Sequence, residues 1–240
     1  MRRSGRILIT GANRGIGLAL AGHFLARGWR VAAACRDPAG ARALAALAAR
    51  HPGRCDVLAL EVRDAASVAA LAAALGAGGD TLDVLVNNAG INPAPREHTV
   101  ADVAVAAVAE ALDVNLLGAL RVLQAVVPLL RRSGRPRVVN ISSGGGSMTR
   151  NSAPAGRPQT AYCLSKAGLN MLTVRAARDL PEFTVVSVSP GWIRTDMGGP
   201  AAELDPVAAT ADLATTIEQL QPHHSGQWLN RFGQPSEYAW

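Results

Sequence analysis

Lysine is almost missing from this 240-residue chain: of 24 Lys and Arg side chains, all but Lys166 are arginine. Aromatic residues make up only 4%, too few for the stacking platforms on which single-stranded nucleic acids lie. There are 3 cysteines, Cys35, Cys55 and Cys163, odd in number and widely spaced. That pattern fits no disulfide framework or zinc site and reads as small buried hydrophobes in a reducing compartment. No uninterrupted apolar run approaches the roughly 18 residues of a membrane span. Arg2-Arg3 followed by ILIT looks like the start of a signal peptide, but glycines and charge follow too soon. The net charge of +6 is a moderate excess, without a long basic tract, and favours small anionic ligands. The expectation is a cytoplasmic protein with no membrane and no nucleic-acid partner.

What is present is apolar bulk. Hydrophobic residues make up 49% and charged residues 18%, which excludes a disordered chain, and the 24 Gly and 14 Pro show no fibrous period. Short β-branched runs alternate with alanine-rich helical stretches, the mark of repeated βαβ units. Strands are expected at 6–10, 29–35, 55–61, 83–90, 136–142, 183–189 and around 227–229. Helices are expected at 16–27, 39–50, 65–76, 101–113, 116–131, 160–180 and 206–220. Asp37-Pro38 supplies the cap of the second helix, GAGGD at 76–80 ends the third, and 143–159 reads as a long loop of the kind that covers a binding site. The fold class is α/β: a single doubly wound Rossmann-type domain over 1–240, with a mostly parallel seven-stranded sheet and its ligand beyond the carboxyl ends of the strands.

Thr10-Gly11-Ala12-Asn13-Arg14-Gly15-Ile16-Gly17 fills the turn from the first strand to the first helix. Glycines there permit a tight turn and close approach of a pyrophosphate, and the helix N-terminus adds free N–H groups and partial positive charge. The missing terminal Lys-Ser/Thr excludes a P-loop. At the end of the second strand stand Cys35-Arg36-Asp37. Arg36, with Arg14, suits the 2′-phosphate of NADP; Asp37 as the ribose acid of an NAD site is the rival reading. Asn87-Asn88-Ala89-Gly90 follows the fourth strand and brings small residues to the same crevice.

At the other end, Tyr162 and Lys166 lie one helical turn apart on one face. A phenol titrates near pH 10, and a neighbouring cation would lower that value and ready it for proton exchange. Lys166 is the lone lysine and Tyr162 one of 2 tyrosines. Ser142 or Ser143, at the end of the fifth strand, could hydrogen-bond a carbonyl as charge develops. Asn115, between two long helices, could hold a water or bond the backbone. No G-x-S-x-G elbow occurs, and no histidine has a nucleophile partner.

Taken together, TGANRGIG, NNAG, Asn115 in DVNLLG, VNISS, YCLSK and PGWIRTDM resemble the classical short-chain dehydrogenases/reductases, and among them the sniffer-like carbonyl reductase branch. The resemblance implies that Tyr162 is the proton donor and acceptor, that Lys166 lowers its pKa while bonding the nicotinamide ribose, that Ser143 polarises the carbonyl and that Asn115 holds a relay water. It implies a cofactor site of Gly11, Asn13, Arg14, Gly15, Ile16, Gly17, Arg36, Glu61, Val62, Asn88, Ala89, Gly90, Tyr162, Lys166, Pro190, Gly191, Ile193 and Thr195, and no metal. Glu61 replaces the family's usual aspartate, and Tyr162 lies 19 positions after Ser143, a wider spacing than in compact ketoacyl reductases. The implied function is hydride transfer between NADP(H), with NAD second, and a carbonyl or secondary alcohol, chiefly as carbonyl reduction, in a homodimer or homotetramer. The alternative is a non-enzymatic nucleotide-binding protein with a regulatory or developmental signalling role.

Overall fold

The computed structural model describes residues 5–77, 79, 81–93, 98–153, 159–238 and 240. Arg2-Arg3, parts of the 76–80 turn and the later part of the 143–159 loop, 154–158, lie outside them.

The elements are β1 (Arg6–Thr10), α1 (Gly15–Ala26), β2 (Arg30–Cys35), α2 (Arg42–Ala49), β3 (Cys55–Ala59), α3 (Ala65–Gly76), β4 (Val84–Asn87), α4 (Val105–Leu112), α5 (Ala119–Leu130), β5 (Arg137–Ile141), the short α6 (Met148–Asn151), α7 (Thr160–Asp179), β6 (Thr184–Ser189), α8 (Pro206–Gln219) and β7 (Trp228–Asn230). The strands form one parallel sheet in the order β3-β2-β1-β4-β5-β6-β7. Its central strands are buried on both faces, so their sequences run continuously apolar instead of alternating with polar residues.

Successive side chains still point to opposite layers. Ile7, Ile9, Val84 and Val86 pack against Leu20, Phe24 and Leu25 of α1 and Leu213 and Ile217 of α8. Leu8, Leu85, Val138 and Val185 pack against Leu71 of α3 and Val122 and Val126 of α5. Chain order reverses at β1 and β4, so their connections leave to opposite sides and open a crevice beyond Thr10 and Asn87.

Four local expectations need correction. Asp37 does not start α2; its carboxylate accepts a 3.0 Å hydrogen bond from the Gly40 N–H, and the helix begins at Arg42. The two helices expected at 101–113 and 116–131 form one continuous helix, because the break at Asn115 is absorbed by a π-helical turn over Asp113–Gly118. That helix, Val105–Leu130, is long and apolar enough to cross a membrane by length and composition alone, against the expectation that nothing in the chain approaches a span. In this fold, 44% of its most apolar window is buried, with α5 packed on α3 and the sheet. The 143–159 loop also carries more structure than its Gly/Ser content suggests: a 3₁₀ turn at Gly144–Gly146 and then α6.

Candidate active site

The crevice at the carboxyl ends of the strands is a cavity of about 1070 Å³, larger than one small ligand needs (about 300–1000 Å³). Every cofactor-binding candidate lines it except Gly17, and every catalytic candidate except Asn115.

The glycine turn is built for close backbone approach. Gly11 and Gly15 have φ of 65° and 55°, a region that side chains disfavour. No side chain caps α1, and its first residues, Gly15 and Ile16, line the cavity. Gly17 works one layer behind: a Cβ there would lie 2.5 Å from the Gly11 carbonyl oxygen and 2.6 Å from Asn88 Nδ2. Asn88 stitches the two sides of the crevice, its Nδ2 donating to the Thr10 and Gly11 carbonyls at 2.8 and 3.1 Å. The Asn88 and Ala89 N–H groups both donate to Thr10 Oγ1 at 3.0 Å. These residues form a cradle that a dinucleotide pyrophosphate fits, with backbone donors where a side chain would block it.

At the end of β2, Arg36 faces the cavity and Asp37 does not. Glu61 turns its carboxylate to its neighbour: the Arg63 N–H and Nε donate to Oε1 at 3.0 and 3.3 Å. Burial pushes the Glu61 carboxyl up, but the bonds from Arg63 outweigh it and hold the group below the ordinary carboxylate range. Arg14 forms an ion pair with Asp196, which ties the glycine turn to the segment after Pro190-Gly191. Thr195 approaches from the same segment; its methyl lies 3.2 Å from where a Cβ on Gly15 would stand.

At the end of β5, the serines separate. Ser142 is buried and donates a 2.6 Å hydrogen bond to Asn170 Oδ1. Ser143 caps the glycine turn, accepting from Gly145 N at 3.1 Å, and its side chain also acts to lower the pKa of the Tyr162 phenol. Burial pushes the Tyr162 phenol up to about 12, with Ser143 pulling down and Cys163 adding a smaller upward push.

The expected lowering of the Tyr162 pKa by Lys166 is therefore not found. Lys166 is buried, donates a 2.8 Å bond to the Ile141 carbonyl, and stands 5.5 Å from the centre of the Tyr162 ring. Burial pulls its own pKa down to about 8, which weakens its hold as a cation.

Asn115 sits in the π-helical turn at 1% exposure and off the cavity wall. Its Oδ1 accepts from Ile91 N at 2.8 Å, and its Nδ2 donates to the Ile91 carbonyl at 2.9 Å and to Ser165 Oγ at 2.8 Å. It fixes the backbone just past NNAG.

Sequence reasoning missed Arg150, Trp192 and Tyr238, all of which line the cavity. Arg150 was hidden in a segment read as loop, and Tyr238 is far away in the chain; only the scarcity of tyrosine pointed to it. Of the cysteines, only Cys35 is fully buried, while Cys55 and Cys163 are partly exposed, and all three are free. Among the described residues, no group of three or more His, Cys, Asp or Glu is placed to hold a metal.

Comparison with known proteins places this geometry among relatives. The short chain dehydrogenase family profile matches residues 6–205. The NADPH-bound carbonyl reductase from chicken fatty liver superposes with a TM-score of 0.91 at 34% identity, covering 99% of this chain and 100% of that one. The carbonyl reductase Sniffer of D. melanogaster gives 0.89 at 31%, with coverage of 99% and 100%. A protein named C-signal from Myxococcus xanthus is 38% identical over 161 residues, 66% of this chain and 93% of that protein.

Proposed function

Because the chain belongs to the short chain dehydrogenase family of oxidoreductases, we propose that it is an NADP-dependent carbonyl reductase, moving a hydride between NADP(H) and a carbonyl or secondary alcohol carbon. The observation that carries this reading is the convergence of Ser143, Tyr162 and Lys166 on the wall of one cleft. We read residues 1–240 as one catalytic domain.

The nicotinamide, when bound, supplies the hydride. The chain's own residues bind, orient and handle the proton. Gly11, Asn13, Gly15 and Ile16 hold the pyrophosphate against the start of α1, with Gly17 letting that helix close on the turn. Val62, Asn88, Ala89 and Gly90 bound the adenosine side, with Glu61 shaping the wall; Pro190, Gly191, Ile193 and Thr195 bound the nicotinamide side. Tyr162 gives its proton to the carbonyl oxygen in reduction and takes one back in oxidation, and Ser143 donates to the same oxygen. A phenol near 12 stays protonated at neutral pH, which suits the reductive direction. Lys166 is assigned to the cofactor ribose, and Asn115 to fixing Ile91.

The cofactor choice rests on Arg36, which faces the cleft while Asp37 is spent on Gly40. The NADPH-bound chicken carbonyl reductase supports the same choice. Free cysteines support a cytoplasmic setting. Exposed Leu164, Met171 and Val174 on α7 support a helix-to-helix homodimer or homotetramer.

The likeness to C-signal favours one second reading, in which the fold serves signalling without turnover. A carbonyl panel run with NADPH and with NADH separates the two. Reduction with a clear NADPH preference is expected; a folded protein that binds NADPH and reduces nothing would support the signalling reading.

A further inference from the structure

Several arginines line the cleft, and most are committed. Arg14 pairs with Asp196 and Arg63 with Glu61, while Arg194 Nη1 donates to the Ala202 and Glu203 carbonyls at 3.1 and 2.9 Å. Arg36 stands at the cofactor end. At the reacting end, Arg150 has no carboxylate partner among the described residues.

Arg150 is held in place all the same. Its guanidinium lies 4.7 Å above the centre of the Tyr238 ring. Tyr238 is fixed in turn, its N–H donating to Ser236 Oγ at 3.2 Å and its ring 5.9 Å from that of Trp228. The Arg150 N–H donates to Ser147 Oγ at 3.0 Å, and Asn151 Nδ2 donates to the Gly145 carbonyl at 2.9 Å, which ties α6 to the turn after Ser143.

That turn passes between the phenol and the guanidinium. A Cβ on Gly145 would lie 3.4 Å from Tyr162 Cδ1, and one on Gly144 would lie 2.1 Å from Arg150 Nη1. The missing side chain at 144 is what lets the guanidinium reach a position beside Ser143.

A guanidinium stacked by one face keeps its N–H edges free, and those edges match a carboxylate bidentately. A carbonyl bound at Ser143 and Tyr162 would place a nearby carboxylate toward Arg150. Half-exposed Trp192 and Met197 at the same mouth suit an apolar remainder.

We infer that the enzyme reduces oxo acids, with the carboxylate a few bonds from the carbonyl read by Arg150 stacked on Tyr238. The product is the hydroxy acid: hydride goes to carbon, and the Tyr162 proton goes to oxygen. Arg150 is a substrate-specificity residue and Tyr238 a positioning residue. The inference rests on the carbonyl-reductase reading above.

The test uses a phenyl-substituted 2-oxo acid and its methyl ester as paired probes, with NADPH, on the wild type, Arg150→Gln and Tyr238→Leu. The wild type should favour the acid. Arg150→Gln should lower kcat/KM for the acid by about 10- to 100-fold while leaving the ester within about twofold. Tyr238→Leu should raise KM for the acid and leave ester kcat unchanged, a split that mere destabilisation would not give. Equal use of acid and ester by the wild type, or parallel loss of both in Arg150→Gln, would overturn the inference. If neither probe turns over, binding of the acid followed by tryptophan fluorescence decides. Binding lost in Arg150→Gln keeps the anion site while the reductase reading fails; no binding to the wild type removes the site as well.

Discussion

Lys166 and Tyr162 share a face of α7, but the Lys166 ammonium spends its 2.8 Å hydrogen bond on the Ile141 carbonyl and stands 5.5 Å from the centre of the Tyr162 ring. The lysine is therefore anchored to the end of β5, next to the serine pair, and the influence that lowers the phenol's pKa comes from Ser143 instead. Burial acts on both groups and favours their neutral forms.

The first prediction follows from the lysine. Its folded pKa of about 8 lies below the 10.5 of the unfolded chain, so between those values the unfolded state binds more protons and stability rises with pH. The contribution is on the order of 3 kcal/mol over that window. Denaturant unfolding of the cofactor-free wild type and Lys166→Met, compared from pH 7 upward, should show the wild type gaining on the variant as pH rises. A constant difference would mean that the ammonium is not buried as described.

Ser143 and Ser142 should behave differently. Ser143→Ala removes the group that pulls the Tyr162 pKa down, so the alkaline rise of alcohol oxidation should move to higher pH, with kcat lower by about 10²- to 10³-fold. Ser142→Ala breaks the 2.6 Å bond to Asn170 inside the protein. It should cost about 1–3 kcal/mol of stability by leaving Asn170 short of a partner, without moving that profile. pH–rate curves and denaturant melts of the two variants check both statements.

Cofactor choice should turn on one side chain. Arg36→Ser is expected to raise KM for NADPH by about 10- to 100-fold and KM for NADH by less than about twofold, because only the 2′-phosphate loses its partner. Asp37→Ala should leave the ratio unchanged, since that carboxylate faces Gly40. Equal effects of Arg36→Ser on both cofactors would remove the 2′-phosphate assignment.

The sequence alone made much of this architecture readable, for physical reasons. A parallel sheet covered on both faces needs short continuous apolar runs, and RILIT, VLVN and TVVSVS are such runs. Glycines with positive φ mark turns that few other residues tolerate, which is why Gly11 and Gly15 could be placed in the cradle in advance. What stayed hidden depends on distance or burial. Asp37-Pro38 has the composition of a helix cap, and only the fold shows Gly40 taking that bond. Asn115 looked like a break between helices because a π turn has no pattern of its own. The raised Tyr162 pKa reflects desolvation, which Tyr-x-x-x-Lys spacing does not encode, and Tyr238 reaches Arg150 from 88 positions away. The membrane-length apolarity of Val105–Leu130 was masked by Glu110, Asp113 and Arg121, which interrupt the run although its most apolar stretch still averages a mean hydropathy of 1.5.

Under the proposed function, the Tyr162 hydroxyl is the proton source for reduction at this cleft. Its most direct measurement pairs NADPH affinity with carbonyl turnover in the wild type and Tyr162→Phe, under saturating NADPH. The variant should bind NADPH within about threefold of the wild type while kcat falls by about 10²-fold or more, as removal of a positioned general acid should do. Carbonyl reduction at an undiminished rate by Tyr162→Phe would contradict it.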